Sequence, residues 1–189
     1  MQNLPYTLMA ELEKVSRKTN PPVHLWQPEK EKKIDLVVRQ SGVWEYEGSP
    51  ITRVRLVRLF ASVLRKEGSD YFLVTPAEKC LIDVEDVPFE IVLMNVLGEG
   101  KRRTISMTTN MGESFRIDEN HPVTLRQYGP HTFPYVLVRN SMEGRINRNV
   151  YYQLGEFLEE AERPGSGGQA FCFWSCNRCF FLSEPDATS

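Results

Sequence analysis

From Tyr71 to Arg139 the chain is a succession of short strand-patterned segments separated by turn chemistry, and that stretch limits the fold more than any other. The segments are Tyr71–Thr75, Lys79–Val84, Phe89–Val96, Thr104–Thr109, Ser114–Ile117, Val123–Arg126 and Tyr135–Arg139. Cys80, Ile82 and Val84 alternate with Leu81 and Asp83, the period of a half-buried strand. Gly98-Glu99-Gly100 and Asn110-Met111-Gly112 supply residues that accept positive φ, as hairpin turns require. The stretch predicts a mostly antiparallel sheet.

Helical patterning flanks it. Leu8, Met9, Leu12 and Val15 recur at helical spacing and predict a helix over Tyr6–Lys18, ended by Thr19-Asn20-Pro21-Pro22. Val23–Lys33 reads as an extended connection anchored by Leu25 and Trp26. Ile34–Arg39 and Gly42–Gly48 read as short strands, the second leading to a turn. Ser49-Pro50 and Thr52 carry helix-start chemistry, and the following helix is expected to reach Lys66 before Glu67-Gly68-Ser69-Asp70 stops it. A last helix is expected over Arg148–Glu162, with Val150, Leu154, Phe157, Leu158 and Ala161 on one face. Pro164-Gly165-Ser166-Gly167-Gly168 is a flexible break, and an aromatic tail, Phe171–Leu182, follows it. The class is α+β, with an N-terminal half over 1–70, a sheet-plus-helix half over 71–163 and a tail over 164–189.

Composition narrows the partners. A net charge of −2 on 189 residues argues against duplex nucleic acid, which is gripped through its phosphates, while a small anion needs only a local basic pocket. The amphipathic start is not a signal peptide, and no stretch approaches the roughly 20 apolar residues that cross a bilayer. No membrane partner is expected. The expected compartment is cytoplasmic, with the 4 cysteines reduced.

Two helix starts are preceded by similar text. Val38-Arg39-Gln40-Ser41, Glu47-Gly48 and Ile51-Thr52-Arg53 are echoed by Val138-Arg139-Asn140-Ser141, Glu143-Gly144 and Ile146-Asn147-Arg148. Matching roles in matching order suggest a duplicated strand–turn–helix unit. Thr52 and Asn147 would be the N-caps. Arg53 and Arg148 would sit where the helix dipole is positive, which disfavours a cation. Either an upstream glutamate, Glu47 or Glu143, clamps each arginine, or a bound anion does. On a helical projection Arg53 falls among Leu56, Val57, Phe60 and Leu64, so it needs a partner more than Arg148 does.

A further set of stretches is informative in combination: Pro21-Pro22-Val23, Leu25-Trp26 with Pro28, Ile34-Asp35, Gly42-Val43-Trp44, Glu47-Gly48-Ser49-Pro50-Ile51 and Leu56-Val57-Arg58-Leu59-Phe60. The set continues through Leu73-Val74-Thr75-Pro76, Glu78-Lys79, Val84-Glu85-Asp86 with Pro88-Phe89, Thr109-Asn110, His121-Pro122 and Pro134-Tyr135-Val136-Leu137-Val138-Arg139. On these residues the chain resembles the bacterial domain-of-unknown-function family 1285. The resemblance implies a two-part α+β fold with a duplicated core. It also implies a second half like pleckstrin-homology domains, a bent antiparallel sheet closed by a C-terminal helix. For function it implies a small-ligand site between the halves, for a nucleotide-like molecule, and a signalling role. The tail departs from the family: Cys176-Asn177-Arg178-Cys179 follows Trp174-Ser175 where relatives have small residues, so its packing is open.

Catalytic text is missing. No nucleophile elbow, P-loop, Rossmann fingerprint or zincin motif occurs, and His24, His121 and His131 show no motif spacing. Cys172, Cys176 and Cys179 have the spacing that holds a four-iron cluster, but no barrel follows them. Zinc wants a fourth ligand. Free cysteines in an apolar tail are the plainer reading, so no metal or cofactor is expected. Lys101-Arg102-Arg103 reads as a solvated hairpin tip, and Arg55, Arg58, Ser62 and Arg65 as the polar side of the first long helix.

The expected function is therefore a ligand-sensing or interaction module. The alternatives are an enzyme with an unrecognised site, a metal-binding tail protein, or a structural dimer. The candidate ligand-binding residues are Trp44, Glu47, Arg53, Arg58, Thr75, Glu78 and Lys79. Trp44 would stack a base and the cations would hold phosphate. The plain alternatives are Trp44 as core and the charges as paired surface groups.

Overall fold

The computed structural model describes residues 21–163 and 168–182. The helix expected over Tyr6–Lys18 and most of the Pro164–Gly168 break lie outside the described residues. The chain divides into two compact units, Met1–Pro88 and Phe89–Ser189.

Unit 1 is built on one sheet of β1 (Lys30–Val38), β2 (Trp44–Tyr46), β3 (Ser49–Pro50), β4 (Leu64–Glu67), β5 (Asp70–Val74) and β6 (Glu78–Val84), in the order β3-β2-β1-β6-β5-β4. Two antiparallel meanders, β1–β3 and β4–β6, meet at a parallel β1–β6 pair. Helix α1 (Val54–Ser62) joins the edge strand β3 to the opposite edge strand β4. It buries Phe60, whose ring stacks on Trp44 with centroids 6.2 Å apart. Leu36, Val38, Leu64, Leu73, Val74 and Cys80 complete a dry core. Because β5 and β6 hydrogen-bond into this sheet, the division falls at Pro88 rather than at residues 70–71.

Unit 2 carries β7 (Phe89–Leu97), β8 (Thr104–Thr109), β9 (Ser114–Arg116), β10 (Val123–Tyr128), β11 (His131–Arg139) and β12 (Met142–Ile146), in the order β10-β11-β12-β7-β8-β9. It too is two meanders joined by a parallel pair, β7 with β12. Read from the other edge, the strand order is the same as in unit 1. Here, though, residues 117–122 join the edge strands without a helix, and α2 (Arg148–Gly155) comes after the sixth strand and packs on β7. A third sheet, β13-β14-β15, is made of Glu159–Glu162, Gln169–Ser175 and Arg178–Phe181.

The layout is thus duplicated, but the matching text is out of step with it. Val38 ends the first strand of its sheet and Val138 lies in the fifth of its own. Glu47-Gly48 is a two-residue turn with φ of 48° and 72°, whereas Glu143-Gly144 lies inside β12. The turn equivalent in geometry is Asn140-Ser141, with φ of 46° and 60°. Left-handed backbone at both central residues fits the twist of a tight hairpin.

Other expectations need correction. The first long helix ends at Ser62, not Lys66, because Leu64–Glu67 pairs with β5 around Gly68. The last helix ends at Gly155, not Glu162; Glu159–Glu162 is drawn into pairing with β14. The anchor of the 23–33 connection is buried Val23, while Leu25 is 68% exposed and Lys30–Lys33 already belong to β1. The tail is an ordered hairpin. Its Ser175 hydroxyl donates to the Ile117 carbonyl (2.7 Å) and accepts from the Ile105 amide (3.0 Å), both out of solvent. No described helix is long and apolar enough to cross a membrane.

Candidate functional site

The residues singled out from the sequence fall into separate groups. Trp44 is only 1% exposed, so its faces serve the core against Phe60. Glu47 occupies the β2–β3 turn and lies beside the Tyr46 hydroxyl, whose pKa is raised first by burial and then by that carboxylate. Arg53 is the N-cap of α1, exposed to solvent, and Arg58 is exposed on the second turn of the same helix.

Thr75, Glu78 and Lys79 do come together, at the β5–β6 turn. The buried Thr75 hydroxyl donates to the Glu78 carbonyl (3.0 Å) and accepts from the Glu78 amide (3.1 Å). Glu78 pairs with Lys32 at 2.8 Å. Lys79 bridges Glu31 (2.9 Å) and Glu67 (3.0 Å) and lies over the Phe72 ring. Glu67 also pairs with Arg65, whose Nη1 donates to the carbonyls of Val23 (3.2 Å) and Trp26 (2.6 Å). Burial pushes the Glu67 carboxyl up, but hydrogen bonds from Lys79 and Arg65 outweigh it and hold the pKa below its ordinary value. This chain of ion pairs ties β1, β6 and β4 across one sheet face. All these cations have partners, so the group is a brace.

The glutamate–arginine clamps do not form. The β2–β3 turn folds Ser49-Pro50 back onto Glu45-Tyr46, and Arg53 follows without an ion pair to Glu47 among the described residues. In unit 2, Glu143 pairs with Arg126 (2.6 Å), and Arg148 donates to the Tyr152 hydroxyl (2.9 Å). Asn147 is the N-cap, accepting from the Val150 amide at 2.9 Å, but Thr52 is not one: Arg53 holds that place with no side-chain capping bond.

Three arginines on the first two turns of α1 are unpaired. Arg53, Arg55 and Arg58 are exposed, and among the described residues none of them enters an ion pair or side-chain hydrogen bond. The first turn holds no acidic residue. Val54, 60% exposed, lies between the first two arginines. Cations at the positive end of an uncapped helix are electrostatically unfavourable, and an anion there would relieve both defects.

The histidines have local roles. His121 Nδ1 lies 2.9 Å from Asp118 and its ring stacks on Phe115, while His24 and His131 are exposed. All four cysteines are free, and burial pushes the Cys80 thiol up to about 11. No cluster of three or more metal-ligating side chains occurs among the described residues.

The sequence reading missed Arg65 as a strand residue gripping the Val23–Trp26 segment; the Gly68 turn was the available signal. It also missed Ser175, for which no local pattern exists.

The N-terminal domain of the domain of unknown function DUF1285 matches residues 21–87, and the C-terminal domain of the protein of unknown function DUF1285 matches residues 88–182. The crystal structure of a DUF1285 family protein from Silicibacter pomeroyi DSS-3 is similar with a TM-score of 0.83 and 35% identity, over 93% of each chain. A DUF1285 family protein from Shewanella baltica OS155 shares the fold, with a TM-score of 0.52 and 24% identity over 64% of this chain and 90% of its own. No curated protein is significantly similar.

Proposed function

The chain belongs to the DUF1285 family, and we propose that it is a cytosolic, non-catalytic ligand-sensing module of bacterial signalling whose ligand is an anion of the nucleotide class. The observation that carries this reading is the set of unpaired arginines at the start of α1. Arg53, Arg55 and Arg58 line the first two turns with no acidic neighbour to neutralise them. Guanidinium forks suit phosphate oxygens, and the free amides of a helix start add donors. Trp44 is committed to the core, so a base would stack elsewhere or remain in solvent. In unit 2, a mainly antiparallel sheet followed by α2 supports a pleckstrin-homology-like reading.

A thermal-shift screen of nucleotides and dinucleotide second messengers tests this. A ligand at 100 times its dissociation constant adds about 2.7 kcal/mol, a rise of roughly 5–11 °C for a chain of this size. The Arg55→Ala/Arg58→Ala double variant should lose the shift. Arg148→Ala, on the other helix, should keep it. If no nucleotide moves the midpoint, the nucleotide reading fails.

A further inference from the structure

The six-stranded sheet of unit 1 ends in β3 and β4, and that of unit 2 in β9 and β10. A free edge presents backbone donors and acceptors that invite another strand, so folded chains shorten, charge or cover their edges. β3 is two residues long and ends in Pro50, and β9 is three residues long. β4 carries Arg65, Lys66 and Glu67, packs on the turn Val23–Leu25, and bonds the Val23 and Trp26 carbonyls through Arg65. β10 has none of these devices. It runs six residues, Val123–Tyr128, holds no proline and pairs with β11 without a register shift. Its one charged side chain, Arg126, is neutralised within the unit by Glu143 at 2.6 Å. The Pro122 carbonyl accepts from the Leu137 amide at 3.2 Å, so the even-numbered backbone groups of this segment face β11. By alternation Val123, Leu125 and Gln127 turn their amides and carbonyls to the free edge. Among the described residues, none of these three enters a backbone hydrogen bond outside the β10–β11 pair. Leu125, opposite Pro134 and on the same face as buried Val123, is half-buried there.

We propose that β10 pairs antiparallel with β10 of a second copy of this chain, about a two-fold axis perpendicular to the sheet, so that the two sheets become one. An edge strand paired in this way is self-complementary, as a two-fold interface requires. With Arg126 already neutralised, the edge carries no net charge that would call for an acidic or a basic partner. The axis keeps the buried faces of both copies on one side, so odd-numbered residues oppose odd-numbered ones and one residue sits opposite itself. Arg126 in that place would set like charges against each other. Thr124 in that place would shorten the pairing to residues 123–125. Leu125 in that place pairs residues 123–127, sets Arg126 opposite the partner's Thr124 and closes two half-exposed leucines on each other. Leu125 then exchanges both backbone bonds with its counterpart, and Val123 does so with the partner's Gln127. Every outward-turned group of β10 is satisfied.

The test is sedimentation equilibrium of the full chain over a concentration series, with amide hydrogen exchange read at the same concentrations. The wild type should sediment at twice its chain mass at high concentration. The amides of Val123, Leu125 and Gln127 should slow as the dimer forms, while those of Thr124 and Arg126 are protected throughout. Leu125→Lys sets two like charges on the axis, and Gln127→Pro removes an outward amide at an exposed position where an edge strand tolerates proline. Each should raise the dimer dissociation constant by more than about tenfold. Leu93→Lys, at an exposed leucine of β7 away from this edge, should leave it unchanged. Gln127→Pro is the decisive variant; a melting midpoint equal to that of the wild type, taken where both are monomeric, shows that its fold is intact. A wild type that stays monomeric up to about 1 mM overturns the proposal. So does a dimer that Leu125→Lys and Gln127→Pro leave intact, or one that Leu93→Lys dissociates.

Discussion

The two units share a strand order and differ in where they put their helix. In unit 1, α1 sits between the meanders and its buried side presses Phe60 onto Trp44. In unit 2 the meanders are joined by residues 117–122, and α2 follows the sixth strand with Val150 and Leu154 buried. The sheet topology therefore leaves the position of its helix open, and the helix position is what separates the surfaces. The polar dressing differs as well. Unit 1 uses the ion-pair chain Glu31–Lys79–Glu67–Arg65. Unit 2 lays arginines on rings, Arg126 over Tyr135 at 4.0 Å and Arg145 over Phe133 at 5.0 Å. The α1 surface keeps three exposed arginines, Arg53, Arg55 and Arg58, that no described residue pairs.

The largest expected effect tests the helix contrast. Phe60→Ala should cost about 3–5 kcal/mol and Leu154→Ala about 2–5 kcal/mol in urea melts, since each empties a dry site. A loss below about 1 kcal/mol at Phe60 would show that α1 is not part of its core.

Next come the two glycines that the matching text aligns. A Cβ on Gly144 would meet Ile91 Cδ1 at 3.0 Å and Val138 Cγ2 at 3.2 Å, so Gly144→Ala should cost about 1–3 kcal/mol by overpacking. Gly48 has open space but a φ of +72°, so Gly48→Ala should cost about 1 kcal/mol of backbone strain. Asn tolerates that conformation, and Gly48→Asn should recover most of the loss while Gly144→Asn should be worse than Ala. Equal behaviour at both sites would restore the equivalence suggested by the text.

A smaller effect separates binding from folding. Arg53→Asp places a good N-cap and a favourable charge at the start of α1, and should stabilise the chain by about 0.5–1 kcal/mol. The same change should weaken any anion held there. A destabilised Arg53→Asp would mean that the arginine has a structural partner.

The smallest effect concerns the brace of unit 1. The Glu67 pKa is lower folded than unfolded, so its contribution is full above the unfolded value and is lost as pH falls through the folded one. Stability should decline below about pH 4–5. Glu67→Gln should flatten that decline in urea melts taken between those limits; an unchanged slope would place the linkage elsewhere.

The sequence made the strands of residues 71–139 legible because alternation and turn glycines are local signals. It misled where tertiary pairing overrode local preference. Glu159–Glu162 reads as helix and is a strand because β14 offers it an edge. Leu64–Glu67 continues a helical pattern and is a strand because Gly68 returns the chain onto it. The duplication was sensed, but through text whose two copies occupy different strands. Of the candidate site, Arg53 and Arg58 are both exposed on the first two turns of α1, whereas Trp44, Thr75, Glu78 and Lys79 are engaged within unit 1; burial and pairing of that kind are set by residues distant in sequence.

The central claim is that the exposed arginines of α1 hold an anion. The most direct measurement is a backbone amide spectrum of the isotopically labelled full chain, titrated with the nucleotide that shifts the melting midpoint most. Saturable shifts concentrated on residues 53–58, and absent in Arg55→Ala/Arg58→Ala, are the predicted result. Saturable shifts confined to residues 89–182, or unchanged in that double variant, would contradict it.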